Sequence, residues 1–372
     1  SFGKITKRLG RFGMNNTKKM FDGIFRNRKV LITGHTGFKG SWMAFLLKEM
    51  GAEVCGFSLA PKTTPNHFDL LNLENNIKHI VGDIRDLGAL NKAIQDFQPE
   101  FVFHLAAQAL VKESYANPVI TFDTNIMGSV NLLEAVRKCD SVRSLVYITS
   151  DKCYENVEWI WGYRENDQLG GHDPYSASKG AAEIVFSAYA RSYFSLRDNL
   201  GVATTRAGNV IGGGDWGADR IIPDCIRAIQ NDVPIKLRNP NATRPWQHVL
   251  EPINGYLTLG VKLYNEPENF NGSWNFGPST SQILTVEEVA NSIIKHIGQG
   301  TIEIESSNQK QHEANLLQLN CDKARQLLDW SPMWGVEKTL DMTAEWYKVF
   351  INEGDIEAIT KAQLQDYYQG AL

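Results

Sequence analysis

The stretch KVLITGHTG at residues 29–37, running into GSWMAFLLKEMGA at residues 40–52, constrains the fold more than any other feature. A β-branched apolar run of strand length breaks into glycines and then resumes with helical apolar spacing. A strand that feeds a helix in this way returns its chain over the sheet, and the next strand lies parallel to the first. The pattern then repeats. AEVCGFSL, IKHIVGDIRD, EFVFHLAAQ, SLVYITSD and VATTRAGNV read as strands, with helices at GALNKAIQDFQ and TFDTNIMGSVNLLEAVRKC between them. Strand and helix alternating over some 180 residues predict an α/β fold, a doubly wound parallel sheet of Rossmann type.

After residue 210 the texture changes. Gly212-Gly213-Gly214-Asp215-Trp216 is a flexible loop, and PIKLRNPNATRPWQHV is rich in proline, asparagine and arginine. This suits a smaller mixed α/β domain folded over the carboxyl edge of the sheet. The expected division is an arm over residues 1–26 and a dinucleotide-binding domain over 27–210 that also receives 252–275. A substrate domain then comprises 211–251 and 276–372. The arm is basic and glycine-dotted, with no apolar signal core.

Charge excludes some functions. With 38 basic and 42 acidic residues the net charge is −4, so no basic face awaits nucleic acid. No apolar stretch approaches the roughly 20 residues of a membrane span. The five cysteines, Cys55, Cys139, Cys153, Cys225 and Cys321, are scattered without a C-x-x-C pair. Neither a metal site nor a disulfide framework is expected, and a reducing cytoplasm is the simplest location.

Between the first strand and first helix lie Gly34, His35, Thr36, Gly37, Phe38 and Gly40. Glycines there let the backbone approach a pyrophosphate, which rests on the helix N-terminus. Leu105, Ala106 and Ala107 end the fourth strand, where small residues let backbone run beneath a cofactor. An acid for the adenosine ribose is expected at the end of the second strand, and Ser58 stands there instead. A hydroxyl there, with bulky His35 beside the first glycine, predicts NAD held loosely. Lys62 nearby reads as a solvated loop charge rather than a 2′-phosphate site.

Tyr175 and Lys179 lie four apart in the helical segment DPYSASKGAAEIVFSAYARSY, which stacks them on one face. A lysine cation near a phenol favours phenolate and is expected to bring its pKa below about 10. Such a tyrosine can take a proton from a sugar hydroxyl while a nicotinamide takes the hydride. Ser150, at the end of the fifth strand, adds a second hydroxyl. Asp151 and Lys152 follow it, a spare acid and a spare base that simple dehydrogenation does not need. For acid and base work Asp151 must be raised and Lys152 lowered in pKa. Burial pushes each that way, while their mutual attraction opposes both shifts.

The spacing Gly34-x-x-Gly37-x-x-Gly40, together with Ser150 and Tyr175-x-x-x-Lys179, resembles the extended short-chain dehydrogenase/reductase superfamily from about Lys29 onward. The Asp151-Lys152 pair resembles its sugar-nucleotide 4,6-dehydratase branch, in which an Asp is followed by a base, usually Glu. The resemblance implies an adenine-contacting turn at Asp83-Ile84 and an asparagine, Asn125, at the substrate side that holds active-site backbone. GNVIGGGDW and RNPNATRPWQHVLEP are similar to the enzymes of this branch that act on CDP-glucose, in deoxysugar routes toward surface polysaccharide such as lipopolysaccharide O-antigen. On that resemblance Asn209 contacts the sugar, Arg220 and Arg244 the diphosphate, and Lys236, Leu237 and Arg238 the base. Trp216 and Trp246 either line that pocket or sit in the core. A homodimer through a four-helix bundle is implied as well, built from IMGSVNLLEAVRKC and YSASKGAAEIVFSAYARSY. Two other readings stay open: a nucleotide-sugar 4-epimerase, which has no use for Asp151 and Lys152, and a non-catalytic dinucleotide sensor.

Overall fold

A computed structural model of the chain describes residues 23–278, 283–305 and 316–369. Seven parallel strands form the central sheet: β1 (Lys29–Thr33), β2 (Glu53–Ser58), β3 (Lys78–Val81), β4 (Phe101–His104), β5 (Ser144–Ile148), β6 (Gly201–Ala207) and β11 (Gly272–Phe276). Their order across the sheet is β11-β6-β5-β4-β1-β2-β3. Every residue of β4, β5 and β6 is buried, as expected where helices cover both faces of a parallel sheet. The order reverses between β1 and β4. A crevice opens there beyond the carboxyl ends of the strands, where ligands bind in open α/β sheets.

Successive residues of β1 serve opposite cores. Val30 and Ile32 join α1 (Phe38–Glu49) and, later in the chain, α6 (Leu250–Asn265) on one face. Leu31 joins α2 (Leu87–Phe97), α3 (Gly128–Arg137) and α4 (Pro174–Ser192) on the other. Asp173 sets the start of α4. Its carboxylate accepts the Ser176 N–H at 2.9 Å, and Pro174 takes the first helical position, where a missing N–H costs nothing.

Three two-stranded sheets sit beyond the carboxyl edge. They pair β7 (Val210–Ile211) with β10 (Gln247–His248), β8 (Ile235–Leu237) with β13 (Ile302–Ile304), and β9 (Thr243–Pro245) with β12 (Ile283–Thr285). Helices α5 (Ile221–Gln230), α7 (Val286–Ile297), α8 (Val336–Ile351) and α9 (Ile356–Tyr367) complete the region. The tail packs back on the front of the chain. Lys361 of α9 pairs with Glu49 of α1 at 2.7 Å, and the Trp346 ring of α8 meets His67 edge-on with centroids 5.5 Å apart.

The expected arm ends earlier than residue 26. Phe25 is 1% exposed and packs on Phe101 with ring centroids 5.1 Å apart, so an apolar ring already belongs to the core there. Residues 1–22 lie outside the described residues. The long helix expected over 121–139 is interrupted by a π-turn at Asp123–Met127, which seats Asn125.

Candidate active site

Gly34 has φ +77° and backs onto β4, where a Cβ would lie 2.6 Å from the Ala106 nitrogen. Only glycine satisfies both constraints. Gly37 is the N-cap of α1, with no side-chain cap and no acid in the first turn. Its missing Cβ faces open space save for the Gly34 carbonyl at 3.3 Å. Uncapped N–H donors above a glycine floor fit the diphosphate of a dinucleotide.

The neighbours of this loop are disposed differently from expectation. The His35 ring turns away from the loop mouth into the space above Gly56, and its Nε2 hydrogen-bonds His79 Nδ1 at 2.7 Å. Burial first, then His79, lowers its pKa to about 3, so the ring is neutral. The bulk of His35 is therefore no obstacle to a cofactor. Ser58 closes β2 as expected, but its hydroxyl meets Thr36 Oγ1 at 2.9 Å. The Asp83 carboxylate accepts from the Arg85 backbone and guanidinium, and Ile84 is buried against Gly128. His104 is structural: it shares a 2.6 Å hydrogen bond with Thr33, and burial holds it neutral.

Ser150, Asp151, Tyr175 and Lys179 converge at the carboxyl end of β5, all buried. Ser150 Oγ donates to Asp151 Oδ1 at 2.9 Å and accepts the Lys152 N–H at 3.3 Å, and it lies near enough to the Tyr175 phenol to favour its charged form. Lys179 Nζ stands 5.9 Å from the centroid of the Tyr175 ring. Burial raises Asp151, against the pull of Lys152, Ser150 and Lys39. Its carboxyl is thereby held toward the protonated form that an acid catalyst needs. Lys152 is half-buried beside it.

The expected depression of Tyr175 is reversed in the chain alone. Burial pushes the phenol up to about 12, and Ser150 only moderates that. Burial likewise brings Lys179 down to about 8, with Lys39 repelling it. Desolvation outweighs a lysine at this distance, so the phenolate depends on charge that arrives with ligands.

A small cleft is lined by Asp151, Gly208, Pro245, Gly277 and Leu317–Leu319. Asn209 follows Gly208 between β6 and β7, and its carbonyl accepts the Gln247 N–H at 3.2 Å. The Arg220 Nη1 contacts both Asp215 oxygens, at 2.9 and 3.0 Å, and its charge reaches Tyr175. Arg244 on β9 donates to its neighbour's carbonyl at 2.8 Å.

Other expected substrate residues are placed elsewhere. Leu237 is 2% exposed in the core, Lys236 points outward to Glu305 at 2.9 Å, and Arg238 pairs with Asp219 at 3.1 Å. A strand alternates its faces, so the three cannot all line one pocket. Asn125 is turned to the backbone: its amide oxygen accepts the Gln108 N–H, and its nitrogen donates to the Gln108 carbonyl and Ser178. It braces backbone. Trp216 and Trp246 are core residues, the former packed on Tyr347 and Phe350.

Sequence reasoning missed Lys39. Half-buried, it carries its ammonium to the reacting end, 6.0 Å from the Tyr256 ring and within electrostatic reach of Asp151, Asp215, Arg220 and Lys179. Among the described residues no hydrogen bond or ion pair holds it. The signal was present: a lysine at the second position of a helix whose first turn is otherwise packed inward.

Fold, glycine loop and Ser-Tyr-Lys cluster together define an extended short-chain dehydrogenase/reductase. Within that class the chain belongs to the GDP-mannose 4,6 dehydratase family, whose model matches residues 31–343. It is 45% identical over 348 residues to the CDP-glucose 4,6-dehydratase of Salmonella typhimurium, covering 92% of this chain and 97% of that one. A CDP-paratose 2-epimerase of Salmonella typhi is 28% identical, over 85% of this chain and 99% of the other. Among solved structures, the UDP-glucose 4-epimerase of Thermus thermophilus in complex with NAD superposes with TM-score 0.73 at 25% identity. That match covers 85% of this chain and 98% of the other.

Proposed function

We propose that the chain is an NAD-dependent hydro-lyase that converts CDP-D-glucose to CDP-4-dehydro-6-deoxy-D-glucose, a step of deoxysugar biosynthesis. The observation that carries this reading is Asp151, a buried carboxyl that accepts a 2.9 Å hydrogen bond from Ser150 at the site that also holds Tyr175 and Lys179. An epimerase needs the pair and not the acid. The 45% identity to the Salmonella typhimurium enzyme supports the nucleotide.

The uncapped N-terminus of α1, the glycines and Lys39 would hold the dinucleotide, with Lys179 at its ribose. When bound, NAD supplies the acceptor that takes a hydride from C4 and returns it to C6. Tyr175 removes the C4 hydroxyl proton, and Ser150 donates a hydrogen bond to the developing carbonyl oxygen. The ketone acidifies the C5 proton, which Lys152 removes. Asp151 passes its proton to the C6 hydroxyl as water leaves. Lys152 then returns the proton to C5. Asn209, Arg220 and Arg244 would meet the nucleotide sugar, the guanidinium groups suiting phosphate oxygens.

The enzyme works as a homodimer in the cytoplasm. Val119, Ile120 and Met127 before α3, and Ile184 on α4, are exposed apolar side chains that a copy of the chain would cover. No helix among the described residues is long and apolar enough to cross a membrane.

Substrate deuterated at C4 tests the reaction. The expected product is a 4-keto sugar carrying the label at C6. Label recovered at C4 of an epimer, or no ketone from CDP-, dTDP-, GDP- or UDP-glucose, overturns the proposal.

A further inference from the structure

Beneath the reacting groups lies a buried ion pair that the chemistry above does not use. Glu183 and Arg206 are 2% and 3% exposed and meet at 2.8 Å. Glu183 stands on α4 four residues after Lys179 and eight after Tyr175, so all three share one helix face. Its carboxylate is saturated from three sides. Oε1 accepts Thr149 Oγ1 at 2.5 Å and Arg206 Nε at 3.0 Å. Oε2 accepts Thr204 Oγ1 and Arg206 Nη2, each at 2.8 Å.

Thr149 is the residue before Ser150. Glu183 therefore ties the helix bearing Tyr175 and Lys179 to the strand end bearing Ser150, Asp151 and Lys152. Arg206 anchors the tie to the sheet and to the loop after Lys152. It donates to the Tyr154 hydroxyl at 2.7 Å and the Glu165 carbonyl at 2.9 Å, and its guanidinium lies 4.8 Å from the Tyr154 ring.

We infer that the Glu183–Arg206 pair, through Thr149, is a positioning device that sets the distance between the Tyr175–Lys179 face of α4 and the Ser150–Asp151 end of β5. A buried pair is a poor source of stability, because apolar residues of similar volume often replace it without loss. Its geometric role is the better account here, since the Thr149 hydroxyl it holds belongs to the residue directly before Ser150, and the pair spans from α4 to the strand ends of the sheet. The inference rests on the proposed function for its activity readout, and it has a second readout that does not.

The test compares wild type with Glu183→Gln and with the apolar double variant Glu183→Leu/Arg206→Met. Glu183→Gln leaves Arg206 uncompensated and should lower the thermal midpoint. The double variant should recover most of that midpoint, yet keep kcat at least about tenfold below wild type with KM within about twofold. Thr149→Val, which removes one hydroxyl from Glu183 and leaves the Glu183–Arg206 contact itself in place, should lower kcat about threefold or more. A double variant, or Thr149→Val if the double variant does not fold, that matches wild type in kcat overturns the inference.

A wild-type protein without dehydratase activity overturns the proposed function instead. The inference is then decided by dinucleotide affinity, read from quenching of tryptophan fluorescence. A displaced Lys179 weakens it at least about fivefold in the folded variant, and unchanged affinity overturns the inference.

Discussion

The His35 ring occupies the space that a side chain at Gly56 would take: a Cβ built on Gly56 overlaps the imidazole. The first variable residue of the phosphate loop is thus packed under the second strand, and His79 holds it from the third. Gly56→Ala should cost about 1–3 kcal/mol by overpacking. Adding His35→Ala removes the clash, so the double variant should be less destabilised than the sum of the two single ones, by about 1 kcal/mol. Denaturant unfolding of the four proteins measures this. Strictly additive losses would show that the ring does not occupy that space.

Asp151 and Lys152 are adjacent in sequence but serve different bonds. Lys152→Ala should still oxidise the sugar, seen as transient reduced cofactor, while exchange of the C5 proton with deuterated solvent stops. Asp151→Asn should also oxidise, with elimination slowed by about 10²–10⁴-fold. Exchange at near wild-type rate without Lys152 would remove it as the C5 base.

The sheet was legible because each strand is a short β-branched run and each βα turn leaves its glycine or small residues in place. Tyr175 and Lys179 were legible because helical spacing brings them together by itself. What escaped the sequence depended on depth. Nothing in a linear pattern says that Leu237 faces the core while Lys236 faces solvent. Nor does it say that Asn125 spends its amide on Gln108 and Ser178. The direction of the Tyr175 shift failed for the same reason, since burial, not the lysine, is its largest cause. Glu183 meets its partner Arg206 from 23 residues away, a pairing that no local pattern announces.

Lys39 bears on the alkaline limb of activity. Burial brings Lys179 down to about 8, and repulsion from Lys39 adds to that. A group so lowered is cationic below pH 8 and loses its charge as the pH rises through that value. If the site needs Lys179 charged, wild-type activity falls above about pH 8. Lys39→Met should move the fall upward by about one pH unit. The pH dependence of the oxidation step measures it, and an unmoved limb would show that the two ammonium groups do not interact.

Glu251 on α6 makes stability depend on pH. Burial raises it from 4.5 to about 7, although the backbone N–H groups of Met333 and Trp334 and the Tyr367 hydroxyl favour its charge. A carboxyl with its folded pKa above the unfolded value stabilises fully below the unfolded pKa. That contribution, of the order of 3 kcal/mol, is lost as the pH rises through about 7. Glu251→Gln cannot titrate, so its stability should vary less than wild type between about pH 5 and 8. Equal pH slopes in urea unfolding would place the transition on another group.

The helices flanking the site carry the last expectation. Val119 is 78% exposed and Ile184 61%, each on a helix whose opposite face is packed inward. A single chain gains nothing from leaving such side chains in water, whereas a copy covering them buries apolar area from both partners. Light scattering at micromolar concentration should give twice the chain mass. Val119→Glu with Ile184→Glu places unpaired charges in the covered face and should yield a monomer that still binds dinucleotide. A wild-type monomer, or a charged variant that remains dimeric, would rule out this face as the interface.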